Sequence, residues 1–178
     1  MKLGIMTLGR LALVVLFSGC GSTEPQSLHD AAFVGDLDAV QAFLDSGTDV
    51  NATDVYGNPP LFDAISGDHF ETVALLVERG ADLRKRSGSG ASALILATQK
   101  GNEGLVRYFC EKGLPVNEPD AAGETPLHYA TLAGSLGSVQ ALLQAGADPR
   151  KSNPTGALPI DYTQGNPALD AIAAALDE

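Results

Sequence analysis

The residues of this sequence that could perform chemistry are three histidines, two cysteines and scattered carboxylates and hydroxyls. His29, His69 and His128 are spread widely along the chain, and two cysteines do not complete a four-ligand zinc cluster with them. The sequence contains neither a Ser-His-Asp constellation nor a His-Glu-x-x-His motif. We therefore predict no catalytic residue, no metal site, no cofactor and no small-molecule substrate.

Two loops resemble ligand-binding motifs only in part. Residues 49–54 lack the glycine and the terminal glutamate of a calcium-binding loop. Residues 87–90, Ser-Gly-Ser-Gly, are glycine-rich but do not follow a buried strand, as a phosphate-binding loop does. Neither segment therefore predicts a ligand.

Composition and charge limit the class of protein. The 178 residues are 44% hydrophobic, which is typical of one globular domain. There are 22 acidic and 11 basic side chains, so the formal net charge is −11. Nucleic acid is not expected as a partner, because its binders need a basic surface to replace the counterions of phosphate.

The elements that position these side chains repeat every 33 residues. A fixed period of this size is typical of stacked repeat proteins, because one unit alone cannot bury its apolar face. Four sets of residues share the period: Leu28, Leu61, Leu94, Leu127 and Ile160; Val40, Val73, Val106 and Val139; Gly47, Gly80, Gly113 and Gly146; and Gly57, Gly90, Gly123 and Gly156.

Residues 120–152 show how one unit folds. Gly123 marks a turn, and Pro126 stands where a first helix begins, since a missing N–H costs nothing there. This helix is predicted to end near Gly134. A second helix is predicted to end at Gly146, a residue suited to the left-handed conformation that follows a helix. Helices of 8–10 residues are marginal alone, so neighbouring units must stabilise them.

Residues 123–130, Gly-Glu-Thr-Pro-Leu-His-Tyr-Ala, followed by 142–148, Leu-Leu-Gln-Ala-Gly-Ala-Asp, resemble an ankyrin repeat. Residues 55–84 and 88–117 match in the same register. The resemblance covers residues 27–178 and implies an all-α ankyrin-repeat solenoid of about five helix-turn-helix units with β-turn or hairpin connections. The units are predicted at about 27–54, 55–87, 88–120, 121–153 and 154–178, the first and last acting as caps.

Both ends carry capping signals. Residues 27–30, Ser-Leu-His-Asp, have the form of a capping box, so the first unit begins directly with its helix. Asn166 and Pro167 predict the start of a last helix over 168–176. Its apolar face would consist of Leu169, Ile172 and Leu176.

The register assigns a structural task to each reactive side chain. His128 occupies the histidine position of the ankyrin signature, where the ring ties the helix to the turn backbone, and His29 shares this register. His69 lies between two helices and is expected to be a solvated loop residue. Cys110 falls on the core face of a second helix, as a small buried hydrophobe, and a thiol redox sensor is kept as a remote alternative.

The N-terminal residues are predicted to be an address signal. Lys2 and Arg10 precede the short apolar run 11–17, which is too short for a membrane-spanning helix. Residues 16–20, Leu-Phe-Ser-Gly-Cys, resemble a bacterial lipobox, which implies lipid attachment at Cys20. An ordinary cleaved signal and an uncleaved anchor are the alternatives.

The lipobox resemblance implies a location. Residues 1–19 would be a lipoprotein signal peptide, and 20–26 the lipidated N-terminus and a tether. Gly21, rather than aspartate, points to the periplasmic face of the outer membrane. Cleavage leaves nine basic against 22 acidic side chains, a formal charge of −13. Six extended tether residues reach only about 20 Å, so the domain would work close to its membrane.

Function is then expected on a surface. In ankyrin arrays, the turn tips and the exposed positions of the first helices form a concave face that binds proteins. By register, the protein-binding positions are Phe33, Val34, Val55, Tyr56, Asn58, Ser66, Gly88, Ser89, Gln99, Lys100, Ala121, Ala122, Glu124, Leu132 and Ala133. Among the five apolar side chains expected to be exposed, Tyr56 and Phe33 are the predicted anchors.

The leading hypothesis is a non-catalytic adaptor or scaffold in a bacterial envelope, which binds a protein partner and is held to the membrane by its lipid anchor. It would support or protect an envelope enzyme in stress defence. The alternative is an immunity or inhibitor protein that occludes a toxin or hydrolase, since the acidic charge suits a basic target.

Overall fold

The computed structural model describes residues 24–163 and 170–177. Cys20, the predicted signal segment, and Asn166, Pro167 and Leu169 of the predicted last helix lie outside these residues. Within the described ranges the chain is all-α, as predicted, with one isolated antiparallel bridge between Arg86 and Ser92. The elements are α1 Leu28–Val34, α2 Leu37–Asp45, α3 Pro60–Ser66, α4 Phe70–Glu78, α5 Ala93–Gln99, α6 Glu103–Glu111, α7 Pro126–Leu132, α8 Leu136–Gln144, a 3-10 helix Pro159–Thr163 and α9 Asp170–Asp177.

The helices stack in two rows. The inner row consists of α1, α3, α5, α7 and the 3-10 helix, each packed on the next, and the outer row of α2, α4, α6 and α8, with α9 beside α8. The core lies between the rows. The periodic leucines of the inner row are at most 3% exposed, and the periodic valines of the outer row are fully buried. The described helices are too short and too polar for any of them to cross a membrane.

The predicted helix ends are confirmed in the fourth unit. Helix α7 ends two residues before Gly134, which has φ 68°, and α8 ends two residues before Gly146, which has φ 89°. At the first cap, the Ser27 hydroxyl accepts the Asp30 N–H at 3.0 Å, as expected of a capping residue. At the other end, Ile172 and Leu176 are buried on one face of α9.

Asparagine side chains join the loops of neighbouring units. Asn51 donates to the Gly80 carbonyl at 3.1 Å and accepts the Asp82 N–H at 2.8 Å. Asn117 repeats both bonds between the third and fourth units, with Gly146 and Asp148. Each of these two joints therefore has a neutral asparagine side chain that both donates and accepts, and a lysine ammonium that donates to the carbonyl of the same asparagine.

The joint between the second and third units is built differently. At this joint, Arg84 occupies the position that Asn51 has in the preceding unit. Pro115 occupies the position of Asp82 and has no N–H to donate. Arg86 joins the two units instead. It donates to the Pro119 carbonyl at 3.0 Å and forms an ion pair with the Glu118 carboxylate. A cavity of about 420 Å³ opens at this joint, between the two arginines and Pro115.

The ring of His69 lies where two glycines leave room for it. A Cβ built on Gly35 would lie 2.4 Å from His69 Nδ1, and one on Gly67 would lie 2.6 Å from His69 Cδ2 and 2.2 Å from the Phe33 carbonyl oxygen. His69 is half-buried between the first two units. His69 lies between α3 and α4 as expected, but its ring is only partly solvated, because the first unit covers one side of it.

We predict that Gly67→Ala destabilises the protein by about 1–3 kcal/mol, because the added methyl group collides with backbone that cannot move alone. The measurement is the free energy of unfolding in urea. Gly104→Ala, inside α6, is the control, since its Cβ meets only Asn102 Oδ1 at 3.3 Å. The control should be neutral or gain up to about 1 kcal/mol. Equal stability of the two variants would contradict the packing described here.

Candidate protein-binding surface

A hydrogen-bonded turn holds each tip of this surface. In the second unit, Asp54 Oδ1 accepts the N–H groups of Tyr56 and Asn58, both at 2.8 Å, and Gly57 supplies a positive φ of 81°. The hydrogen bond from the Asn58 N–H lowers the pKa of Asp54. The turn leaves Val55 92% exposed and Tyr56 76% exposed.

The apolar residues expected on the surface are exposed. Besides the two tip residues, Phe33 is 54%, Val34 57% and Leu132 60% exposed, so the predicted exposure of all five is confirmed. The remaining small and polar positions of the set are also open to solvent, with Asn58 and Ser66 half-buried: Gly88, Ser89, Gln99, Lys100, Ala121, Ala122 and Ala133 are exposed.

Four predicted binding residues, Ser89 among them, line one groove. Asn58, Ser66 and Gln99 meet between the turn tips and the inner helices, around a groove of about 200 Å³ that we call the concave groove. Its other walls include Asp63 and Ser89, and both its turns and its helices contribute polar groups. The predicted binding residues in the groove are thus polar, while Phe62, Ala91 and Leu96 add apolar wall.

Phe33 and Val34 lie elsewhere. They line a separate hollow of about 330 Å³ with Asp30 and residues 24–26, the last part of the predicted tether. The structure therefore divides the predicted set between a polar groove and an apolar N-terminal end. Val55 and Tyr56 project from the turn that carries Asn58.

Glu124 is not a free surface group. Its Oε1 accepts from Asn153 Nδ2 at 2.7 Å and from the Tyr162 hydroxyl at 2.8 Å, and its Oε2 is buried without a hydrogen-bond partner, 3.7 Å from His128 Nδ1. The expectation of an exposed binding residue fails here, because the last unit covers this carboxylate. Glu124 joins the fourth unit to the fifth.

His128 does what its register predicts. Its Nδ1 accepts the Thr125 N–H at 3.1 Å, which leaves Nε2 to donate to the Ala157 carbonyl at 3.2 Å. The ring is 1% exposed and ties α7 to two turns. No task beyond holding the fold is needed to explain it.

His29 differs from His128 in its partner. Its Nδ1 lies 2.6 Å from Asp63 Oδ2 in the next unit, where the register predicts a bond to turn backbone, so that expectation is wrong. Asp54 lies beside the same pair. Burial raises the pKa of Asp63, and the hydrogen bond from His29 opposes that shift. The spacing of the histidines alone did not predict this cluster, because its residues come from two units.

Cys110 packs against the core from α6 and is partly buried, as its register predicts. Burial raises the pKa of the Cys110 thiol, and the neighbouring Glu111 carboxylate raises it further. Both effects disfavour the thiolate, which is the reactive form of cysteine. These surroundings are unlike those of a redox-sensing thiol.

Two rows of stacked short helices, with turn tips along one face, define a helical repeat protein whose working part is a surface. The family model of ankyrin repeats, in three copies, matches residues 9–87, 28–113 and 79–153. The chain belongs to the ankyrin-repeat family, and ankyrin repeats are protein–protein interaction modules.

Two curated proteins share parts of the chain. An ankyrin repeat-containing protein of Schizosaccharomyces pombe is 40% identical over 65 residues, which is 36% of this chain and 31% of that protein. The 60 kDa lysophospholipase of Mus musculus is 36% identical over 74 residues, 36% of this chain and 13% of that protein. The chain therefore spans less than a third of the length of either relative, and a hydrolase activity does not transfer with so small a share.

We predict that Cys110 reacts slowly with iodoacetamide in the folded protein. At pH 8 its alkylation should be at least ~10-fold slower than in the urea-unfolded chain, because burial and Glu111 suppress the thiolate. The Cys20→Ser variant leaves Cys110 as the single thiol to follow by mass spectrometry. A folded-state rate above the unfolded rate would restore the redox-sensor alternative.

Proposed function

We propose that this protein is a non-catalytic adaptor that holds a protein partner at the bacterial envelope, through the concave groove and the exposed apolar side chains of the turn tips and inner helices. The observation that carries the proposal is the exposure of five apolar side chains on the face formed by turn tips and inner helices. Aromatic and aliphatic anchors with polar groups around them are the composition of an interface centre. Phe33 and Tyr56 are the proposed anchors.

The envelope part of the proposal is supported by the sequence around Cys20. A lipid on this cysteine, followed by six residues of tether, would keep the repeats close to the periplasmic face of the outer membrane. Residues 24–26 already lie against Phe33 and Val34 in the hollow at the N-terminal end. A partner bound there would meet the repeats and the tether together, which suits the support or protection of an envelope enzyme.

An inhibitor of a toxin or hydrolase is the second candidate, and charge favours it. The mature chain would carry 22 acidic against nine basic side chains. Asp63 lines the concave groove, with Asp54 beside it. An acidic groove attracts a basic active site and speeds its capture. Loss of the partner's activity in the complex would distinguish the inhibitor from the adaptor.

We predict that Cys20 carries lipid and that the partner is retained at the membrane through it. Tagged full-length protein should fractionate with membranes, show an acyl mass increase at Cys20, and crosslink in cells to one dominant envelope protein. The Cys20→Ser variant should lose the acyl mass and the membrane fraction. An unmodified Cys20 in a soluble protein would contradict the anchor and leave the repeat surface unaffected.

We predict that Phe33→Ala and Tyr56→Ala each weaken the partner complex by about tenfold or more, as expected for anchor side chains. The measurement is the dissociation constant of the purified complex. Leu37→Ala is the control, because Leu37 is an exposed apolar side chain of α2 in the outer row and lines neither the groove nor the N-terminal hollow. All three variants should keep the unfolding midpoint within a few degrees, since the side chains are exposed. Unchanged affinity in both anchor variants would refute the concave-face proposal.

A further inference from the structure

Three side chains with metal-binding atoms converge between the first two units. His29 comes from α1, Asp54 from the turn before α3, and Asp63 from α3 itself. One ligand atom of each lies within 4.8 Å of the others, and His29 Nδ1 is 2.6 Å from Asp63 Oδ2. One imidazole and two carboxylates that are far apart in sequence are thus brought to one point.

The fourth unit has no such cluster, and its residues at the positions of Asp54 and Asp63 bond to each other. Asp120 has the register of Asp54 and bonds its own turn in the same way, to the N–H groups of Ala122 and Glu124. Its second oxygen accepts the Tyr129 hydroxyl at 2.7 Å. Burial and this hydrogen bond raise the pKa of Tyr129 to about 12, so that the phenol keeps its proton and donates it to the hydrogen bond.

The second unit has Asp63 where the fourth has Tyr129. The hydroxyl that would donate to the turn aspartate is therefore replaced by another carboxylate. Asp30, on the same helix as His29, adds a third negative group to the surroundings of Asp63. Three carboxylates around one imidazole leave an excess of negative charge that a cation would neutralise.

We propose that His29, Asp54 and Asp63 bind one zinc-type divalent ion that ties the N-terminal cap to the first complete repeat. An imidazole nitrogen with two carboxylate oxygens and one water completes a tetrahedral Zn²⁺ site. Mg²⁺ and Ca²⁺ prefer six or more oxygen ligands, so the imidazole favours zinc over either. This inference does not depend on the lipid anchor or on the proposed partner.

The geometry needs only small side-chain movements. Ligand atoms around a tetrahedral zinc ion are about 3.3 Å apart, given bonds of about 2.0–2.1 Å. The His29 and Asp63 atoms must separate slightly from 2.6 Å, and an Asp54 carboxylate oxygen lies within 4.8 Å of both. The His29 and Asp63 side chains are 23% and 24% exposed, and Asp63 lines the open concave groove, so an ion and its water have access.

The test is a titration of the metal-stripped full chain with Zn²⁺ in a calorimeter and with Co²⁺ in a spectrophotometer. We expect one ion per chain, a tetrahedral Co²⁺ spectrum without a thiolate charge-transfer band, and an unfolding midpoint raised by roughly 5 °C at saturating Zn²⁺. Thiolate bands would assign the ion to the cysteines and overturn the site.

Neighbouring units supply variants that suit the fold. Asp63→Leu introduces the residue found at position 96, and Asp54→Asn the residue found at position 153 in the same turn register. Each should weaken Zn²⁺ binding at least tenfold. The matched control is Asp120→Asn, the same change at the same register without a histidine beside it, and it should keep the affinity. The three circular dichroism spectra establish whether each variant is folded.

Two results would overturn the proposal. One is the absence of stoichiometric Zn²⁺ binding by the unmodified chain, in which case the hydrogen bond between His29 and Asp63 accounts for the cluster. The other is equal Zn²⁺ affinity in the unmodified chain, Asp54→Asn and Asp63→Leu, which would place the ion elsewhere.

Discussion

No α-helix in the described part of this protein is longer than nine residues, and helices of that length are not stable alone in water. The fold therefore depends on burying each inner helix against the next, which fixes the register of every other contact. Leucine recurs at 33-residue intervals because the same buried position recurs in each unit. Turns, caps and surface groups are then placed by the stack. Function is confined to what the stack leaves exposed.

The sequence predicts well the features that each unit determines by itself. Helix ends at Gly134 and Gly146, the bonds of His128 within its unit, and the exposure of Phe33 and Tyr56 follow from the local register. Features that depend on a neighbouring unit are predicted poorly. Sequence spacing contains no information on which side chains of different units meet, so the cover of the His69 ring by the first unit and the Asp63 partner of His29 were missed.

Glu124 illustrates the same limit on the surface. Residues at the same position of different repeats are not equally available to an external partner. A side chain that is already bonded by the next unit cannot bind such a partner. Asn153 and Tyr162 occupy the Glu124 carboxylate, whereas no such cover reaches Tyr56. The geometry that the units share thus defines a set of possible contact residues. Hydrogen bonds between units then remove some residues from that set. The groups that remain are apolar at the N-terminal end and polar in the middle of the face.

The joint between the second and third units has a consequence for how the array responds to salt. The first and third joints have neutral asparagine bonds, which ions do not screen, beside the charged contacts of Lys85 and Lys151. The middle joint uses the Arg86–Glu118 pair, whose side chains are 36% and 53% exposed, and such pairs contribute at most about 1 kcal/mol and weaken as ionic strength rises. Coupling between the second and third units therefore depends more strongly on ionic strength than coupling at the two joints that keep their asparagine bonds.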